Sequence, residues 1–173
     1  MKGFIALIMA ISVVMPSPAE AIDKYADAQS FLTYTVYKPS RTLGLGVRTF
    51  EFITCNDQGE PWLYARYGGT VRYFEIMQTM TGVKCSDPGL SKKLPNVKVN
   101  DVTAKLYVYC DPAKPVSFAK CSRVHIVRLG GYLIFTNKAR KGLKRTEIQV
   151  QVFGGITYSQ LLTIAQSLKK VTP

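Results

Sequence analysis

Apolar and polar positions along the chain fall into one opening run, a long region of two-residue alternation and one closing segment of helical period. The opening run spans residues 4–15, follows Lys2 and ends before Pro16 and Pro18. Residues 22–30 then read as a short helix started by Asp23. In residues 31–37, Leu32, Tyr34 and Val36 alternate with Thr33, Thr35 and Tyr37, which predicts a half-buried strand that Pro39 ends. Gly44 and Gly46 make a turn before a strand over 49–55, with Phe50 and Phe52 on one face. The Asn56-Asp57-Gln58-Gly59 turn and the Gly68-Gly69 pair bound further strands over 62–67 and 71–80. Residues 82–95 hold Asp87-Pro88-Gly89 and three lysines without periodicity, and read as a loop.

The second half repeats the pattern. Residues 97–99 and the Asn100-Asp101 turn precede a strand over 103–110, where Ala104, Leu106, Val108 and Cys110 alternate with Lys105, Tyr107 and Tyr109. Residues 121–129 and 132–137 read as a hairpin turned at Gly130-Gly131, and 146–153 as a strand with Ile148, Val150 and Val152 on its buried face. The period then changes. Leu161, Ile164, Ala165 and Leu168 form a helical apolar stripe. Thr157 and Gln160 make a capping box around it, Ile156 and Leu161 a hydrophobic staple, and Lys169 and Lys170 fall at the expected negative end of the helix. The predicted fold is α+β: a twisted, meander-like antiparallel sheet with the C-terminal helix packed on one face and two disulfides.

The opening run is shorter than the roughly 20 apolar residues of a membrane span, and it leads to the small residues Ala19 and Ala21. Residues 1–21 are therefore expected to be a signal peptide cleaved before Ile22. Residues 22–173 then form a single exported domain, secreted or periplasmic, with no integral membrane span. About 150 residues suffice for one core.

In that compartment the four cysteines are expected to pair. Cys110 and Cys121 flank Asp111-Pro112 and Lys114-Pro115, so a bond there would staple the neck of a hairpin, and Cys55–Cys85 would tie the 82–95 loop to the sheet. Each bond contributes about 2–4 kcal/mol. No pair has the spacing of a zinc knuckle, and no metal or other cofactor is expected.

The net charge of +12 comes from 23 Lys and Arg against 11 Asp and Glu, and it survives cleavage because Lys2 and Glu20 leave together. Such an excess favours acidic partners: anionic headgroups, wall polymer or another polyanion, with nucleic acid possible but not indicated. The oligomeric state is not encoded in any visible motif.

The tail from Gly155 to Leu168, with its Ile164-Ala165-Gln166-Ser167-Leu168 ending, resembles the closing segment of a bacterial family of exported domains of unknown function. The runs Tyr34-Thr35-Val36-Tyr37-Lys38-Pro39, Ala65-Arg66-Tyr67-Gly68 and Phe74-Glu75-Ile76-Met77-Gln78 are similar to the same family. Members resemble extracytoplasmic parts of membrane-bound regulators and, distantly, lipoprotein-carrier and sigma-factor-regulator domains. The resemblance implies a binding role and brings no catalytic residue.

Catalytic chemistry is poorly supplied. His125 is the single histidine and sits in an apolar run expected to be a strand. The carboxylates are scattered, and a hydrolase would require two to meet; Glu51 and Glu75 are the pair to check. The chain is therefore read as a non-enzymatic binding or regulatory protein of the cell envelope. Its candidate anion-binding residues are Lys138, Arg140, Lys141, Lys144 and Arg145, on an expected hairpin tip free of acids. The same tip would also suit an edge protected against aggregation. Tyr107, Tyr109 and Tyr132 with Lys105 and Arg128 would suit stacking on bases or sugars, although cross-strand pairing explains them equally. An alternative function is a carrier of an apolar ligand held between the sheet and Leu161, Ile164 and Leu168.

Overall fold

A computed structural model of the chain describes residues 23–54, 60–82 and 89–172. The expected leader, the turn at 56–59 and the Cys55–Cys85 bond lie outside the described residues. In chain order the elements are α1 (Lys24–Phe31), β1 (Tyr37–Pro39), β2 (Val47–Ile53), β3 (Trp62–Gly68), β4 (Tyr73–Met80), β5 (Ser91–Val99), β6 (Val102–Tyr109), α2 (Pro115–Lys120), α3 (Ile126–Leu129), β7 (Gly131–Asn137), β8 (Thr146–Phe153), α4 (Tyr158–Gln166) and β9 (Leu168–Lys170).

The principal sheet has seven antiparallel strands in the order β2-β3-β4-β8-β7-β6-β5. It is two meanders rather than one. After β4 the chain passes to the far edge, and β5 to β8 return until β8 lies beside β4. The inner face carries Leu63, Ala65, Phe74, Ile76, Ala104, Leu106, Val108, Leu133, Ile148, Val150 and Val152, all fully buried. Leu161 and Ile164 of α4 close onto this layer, each contributing about 2 kcal/mol by burial. The capping box forms as the sequence requires: the Gln160 N–H donates to Thr157 Oγ1 (3.3 Å) and the Thr157 N–H to Gln160 Oε1 (3.0 Å). The architecture is α+β, with the helix on one face of an antiparallel sheet. No helix among the described residues is long and apolar enough to cross a membrane.

Several expectations are corrected. Residues 31–36 are not a strand of the principal sheet: Phe31 ends α1, and the extended chain from Leu32 is buried at Tyr34, Thr35 and Val36 before Tyr37, also buried, opens β1. Its peptide groups are shared between backbone and side chains: the Val171 N–H donates to the Val36 carbonyl (3.0 Å) and Lys144 bridges Thr33 and Thr35, while side chains take the rest. The Val36 N–H donates to Gln29 Oε1 (2.8 Å), and the Gln78 amide takes the Tyr37 N–H and gives a bond to the Tyr37 carbonyl, both at 2.7 Å.

Residues 121–129 are helical, not a strand. Ser122 caps a 3-10 turn over Arg123–His125 that runs directly into α3. Gly130, at φ 81°, ends the helix instead of turning a hairpin. The Cys110–Cys121 bond, with Cα atoms 6.7 Å apart, therefore ties the end of β6 to the end of α2 rather than stapling a hairpin neck.

Residues 91–99 of the expected loop form β5, an edge strand whose irregularity between Leu94 and Val97 accommodates Pro95. Lys169 and Lys170 do not extend α4. They lie in β9, which pairs with β1 in a small second sheet.

Candidate functional site

The candidate basic residues occupy the connection between β7 and β8, which is a pinned loop rather than a free hairpin tip. Its backbone is stitched to the buried 33–37 segment: the Thr35 N–H donates to the Lys144 carbonyl (3.2 Å), the Lys144 N–H to the Thr33 carbonyl (2.8 Å), and the Arg140 N–H to Thr35 Oγ1 (2.8 Å). Thr146 Oγ1 donates to the Thr35 carbonyl at the loop's far end. The Tyr37 hydroxyl donates to the Lys138 carbonyl (2.7 Å), and burial raises that phenol above its ordinary range, so it stays a neutral donor.

Lys138, Lys141, Lys144 and Arg145 are exposed. Arg140 is half-buried and its guanidinium donates to the Val171 carbonyl (3.2 Å), so it braces the loop instead of projecting from it. The structure also brings in Lys170 from β9, whose Nζ reaches the Ala139 carbonyl at 3.5 Å, whereas Lys169 pairs in register with Lys38 and lines a groove with Asp23. Sequence periodicity placed these lysines on a helix end, and no local signal marks the pairing that carries Lys170 here.

None of these cations has a carboxylate within 4.0 Å among the described residues. The neighbouring Lys38 does: it bonds Asp23 at 2.7 Å and holds that carboxyl below its ordinary value. Asp101 lines a shallow groove with Lys138 and Lys170 without pairing to either. The loop and β9 thus form one rigid basic corner beside β1.

The other candidate groups separate. Glu51 and Glu75 lie on the outer face of the sheet but flank β3, where Tyr64 and Arg66 are their respective register partners. That places them two strand spacings apart across the sheet and two residues apart along it, roughly 12 Å in all. Glu75 is already engaged by the Tyr64 hydroxyl (2.6 Å) and by Gln151 Nε2 (2.8 Å).

Tyr107, Tyr109 and Tyr132 do meet. They form part of an aromatic row in which Tyr107 stacks on Tyr132 (4.7 Å), Tyr109 on Phe153 (5.4 Å) and Phe153 on Tyr73 (4.8 Å), with Arg66 over the Tyr73 ring at 3.7 Å. The rings spend their faces on one another, which is cross-strand packing and leaves mainly edges and hydroxyls for any ligand. Gly130 permits the row, because a Cβ there would stand 2.9 Å from the Phe153 ring and 3.1 Å from Tyr109.

Leu161 and Ile164 are fully buried in the interface between α4 and the sheet, whereas Leu168 borders the shallow groove of Asp101, Lys138 and Lys170 rather than a cavity under the helix. The chain matches no protein-family model, no curated protein and no solved structure.

Proposed function

We propose that the chain is an exported, non-enzymatic binding domain that docks on an anionic surface of the cell envelope, lipid headgroups or wall polymer, through the basic corner. One observation carries the reading: Lys138, Lys141, Lys144, Arg145 and Lys170 are gathered at one corner, the loop backbone held by the buried 33–37 segment, with no carboxylate partner within 4.0 Å among the described residues. Backbone fixed before binding spares the cost of ordering the loop, and each cation near a charged surface contributes about 1 kcal/mol.

The test is sedimentation of the purified protein with phosphatidylcholine vesicles containing or lacking phosphatidylglycerol, at low and at physiological salt, alongside purified anionic wall polymer. Binding is expected only to the anionic arms, and it should fall as salt screens the charges. Replacing Lys138, Lys141, Lys144 and Arg145 with glutamine removes up to about 4 kcal/mol, close to a thousandfold in affinity at low salt. Binding that these changes leave intact would remove the corner from the function.

A further inference from the structure

We infer that the cleft over the Cys110–Cys121 disulfide is a second binding site, for a small organic molecule carrying a phosphate or carboxylate group. The cleft has a volume of about 380 Å³ and is walled by the end of β6, by α2 and by α3. That is the size of small-molecule sites rather than of a surface crevice for one ion.

Its charge is one-sided. Lys114, Lys120 and Arg128 line it against the lone carboxylate of Asp111. Asp111 spends one oxygen on the Ala113 N–H (2.9 Å), and none of the three cations has an acidic partner within 4.0 Å among the described residues.

His125 supplies an oriented donor on the same wall. The Ser122 N–H donates to His125 Nδ1 at 3.1 Å, so in the neutral ring Nδ1 is the acceptor and the proton resides on Nε2. The ring is held in place by the capping geometry of the 3-10 turn, and Nε2–H remains for a ligand oxygen. An apolar wall complements these groups: Tyr109, Phe118 and Leu129 would cover the uncharged body of a ligand while the cations take its oxyanion.

The cleft is also braced. The disulfide joins the end of β6 to α2 across a separation of 11 residues, and Lys92 Nζ from β5 bonds the Ala119 carbonyl at 2.7 Å. Walls fixed before binding keep the ordering cost small. An anion is bound here by convergent donors in a concavity, whereas the basic corner presents cations outward.

The experiment is an NMR titration of the purified protein with glucose 6-phosphate, glucuronate and glucose. Saturable shifts at the Arg128 guanidinium and the His125 ring with the two anions, and none with glucose, are expected. The tighter of the two names the anion as phosphate ester or carboxylate. A K120Q/R128Q variant and an H125A variant, each first shown by circular dichroism to be folded, should bind at least tenfold more weakly. The glutamine variant of the basic corner should bind as the parent does, which separates this site from corner docking. The inference is overturned if neither anion saturates the cleft signals, if glucose binds equally, or if the folded cleft variants bind unchanged.

Discussion

Tyr34 shows how one side chain substitutes for a missing strand. It is fully buried, its hydroxyl accepts the Leu63 N–H (3.1 Å) and it lies 3.0 Å from the carbonyls of Pro61 and Gln78, so it joins the 33–37 segment to β3 and β4 at once. Burial pushes its phenol well above the ordinary tyrosine range, which keeps the donor proton in place. Tyr34→Phe would keep the packing and strand the Leu63 N–H and a carbonyl, at about 1–3 kcal/mol for each. A fall in Tm of roughly 5–10 °C by circular dichroism is expected, while Tyr37→Phe, which frees only the Lys138 carbonyl of an exposed loop residue, should cost about 1 kcal/mol or less. An unchanged Tm in Tyr34→Phe would show that water or a relaxed backbone takes over the hydroxyl's bonds. The alternation at Leu32, Tyr34 and Val36 correctly marks buried positions, but Thr35 and Tyr37 are buried as well. Period-2 spacing reports an extended backbone and cannot report that both sides of it are covered, because the covering groups, Gln29 and Gln78 among them, come from other elements.

At the scale of elements, legibility follows how local the deciding interactions are. Every determinant of the start of α4 lies within its own sequence: the Thr157–Gln160 box, the Ile156 and Leu161 pair, and the buried stripe. Thr157→Ala should therefore cost about 1 kcal/mol and Leu161→Ala about 3 kcal/mol, the second by opening a cavity against β8 and β7. Urea unfolding would separate the two, and equal losses would mean that α4 is held by its cap more than by its core contact. Residues 121–129 lacked such clarity, since Val124, Ile126 and Val127 favour a strand by propensity. Only Ile126 is fully buried, whereas Val124 and Val127 are exposed. The segment follows its punctuation instead: Pro115 at the start of α2, the Ser122 cap and the Gly130 stop. In β5, Pro95 and the lysines imitate a loop because an edge strand tolerates both. The pairing of β1 with β9 joins residues from opposite ends of the domain and leaves no trace in local sequence, so Lys170 could not be read into the basic corner.

For the whole molecule, the strand directions set the two proposed sites apart. Gly131 at the start of β7 pairs with Val152 near the end of β8 and with Val108 of β6, so that edge of the sheet adjoins Tyr109 and the disulfide cleft. Asn137, paired with Thr146, stands at the other edge, where the basic loop begins. The intervening strand length is about 20–23 Å at roughly 3.3 Å per residue, more than two Debye lengths at physiological salt. Charges at one site are therefore screened from the other, and a domain docked by its corner turns its cleft away from the surface. The sites should act additively: the loss of vesicle affinity in the corner variant and the loss of glucose 6-phosphate or glucuronate affinity in K120Q/R128Q should each appear unchanged in the combined variant, within about 0.5 kcal/mol. Measuring small-anion binding with and without saturating phosphatidylglycerol vesicles checks the same point in the parent protein. A shift in either affinity larger than that margin would mean that the sheet between them carries a conformational change, since direct electrostatics across that distance is too weak to produce it.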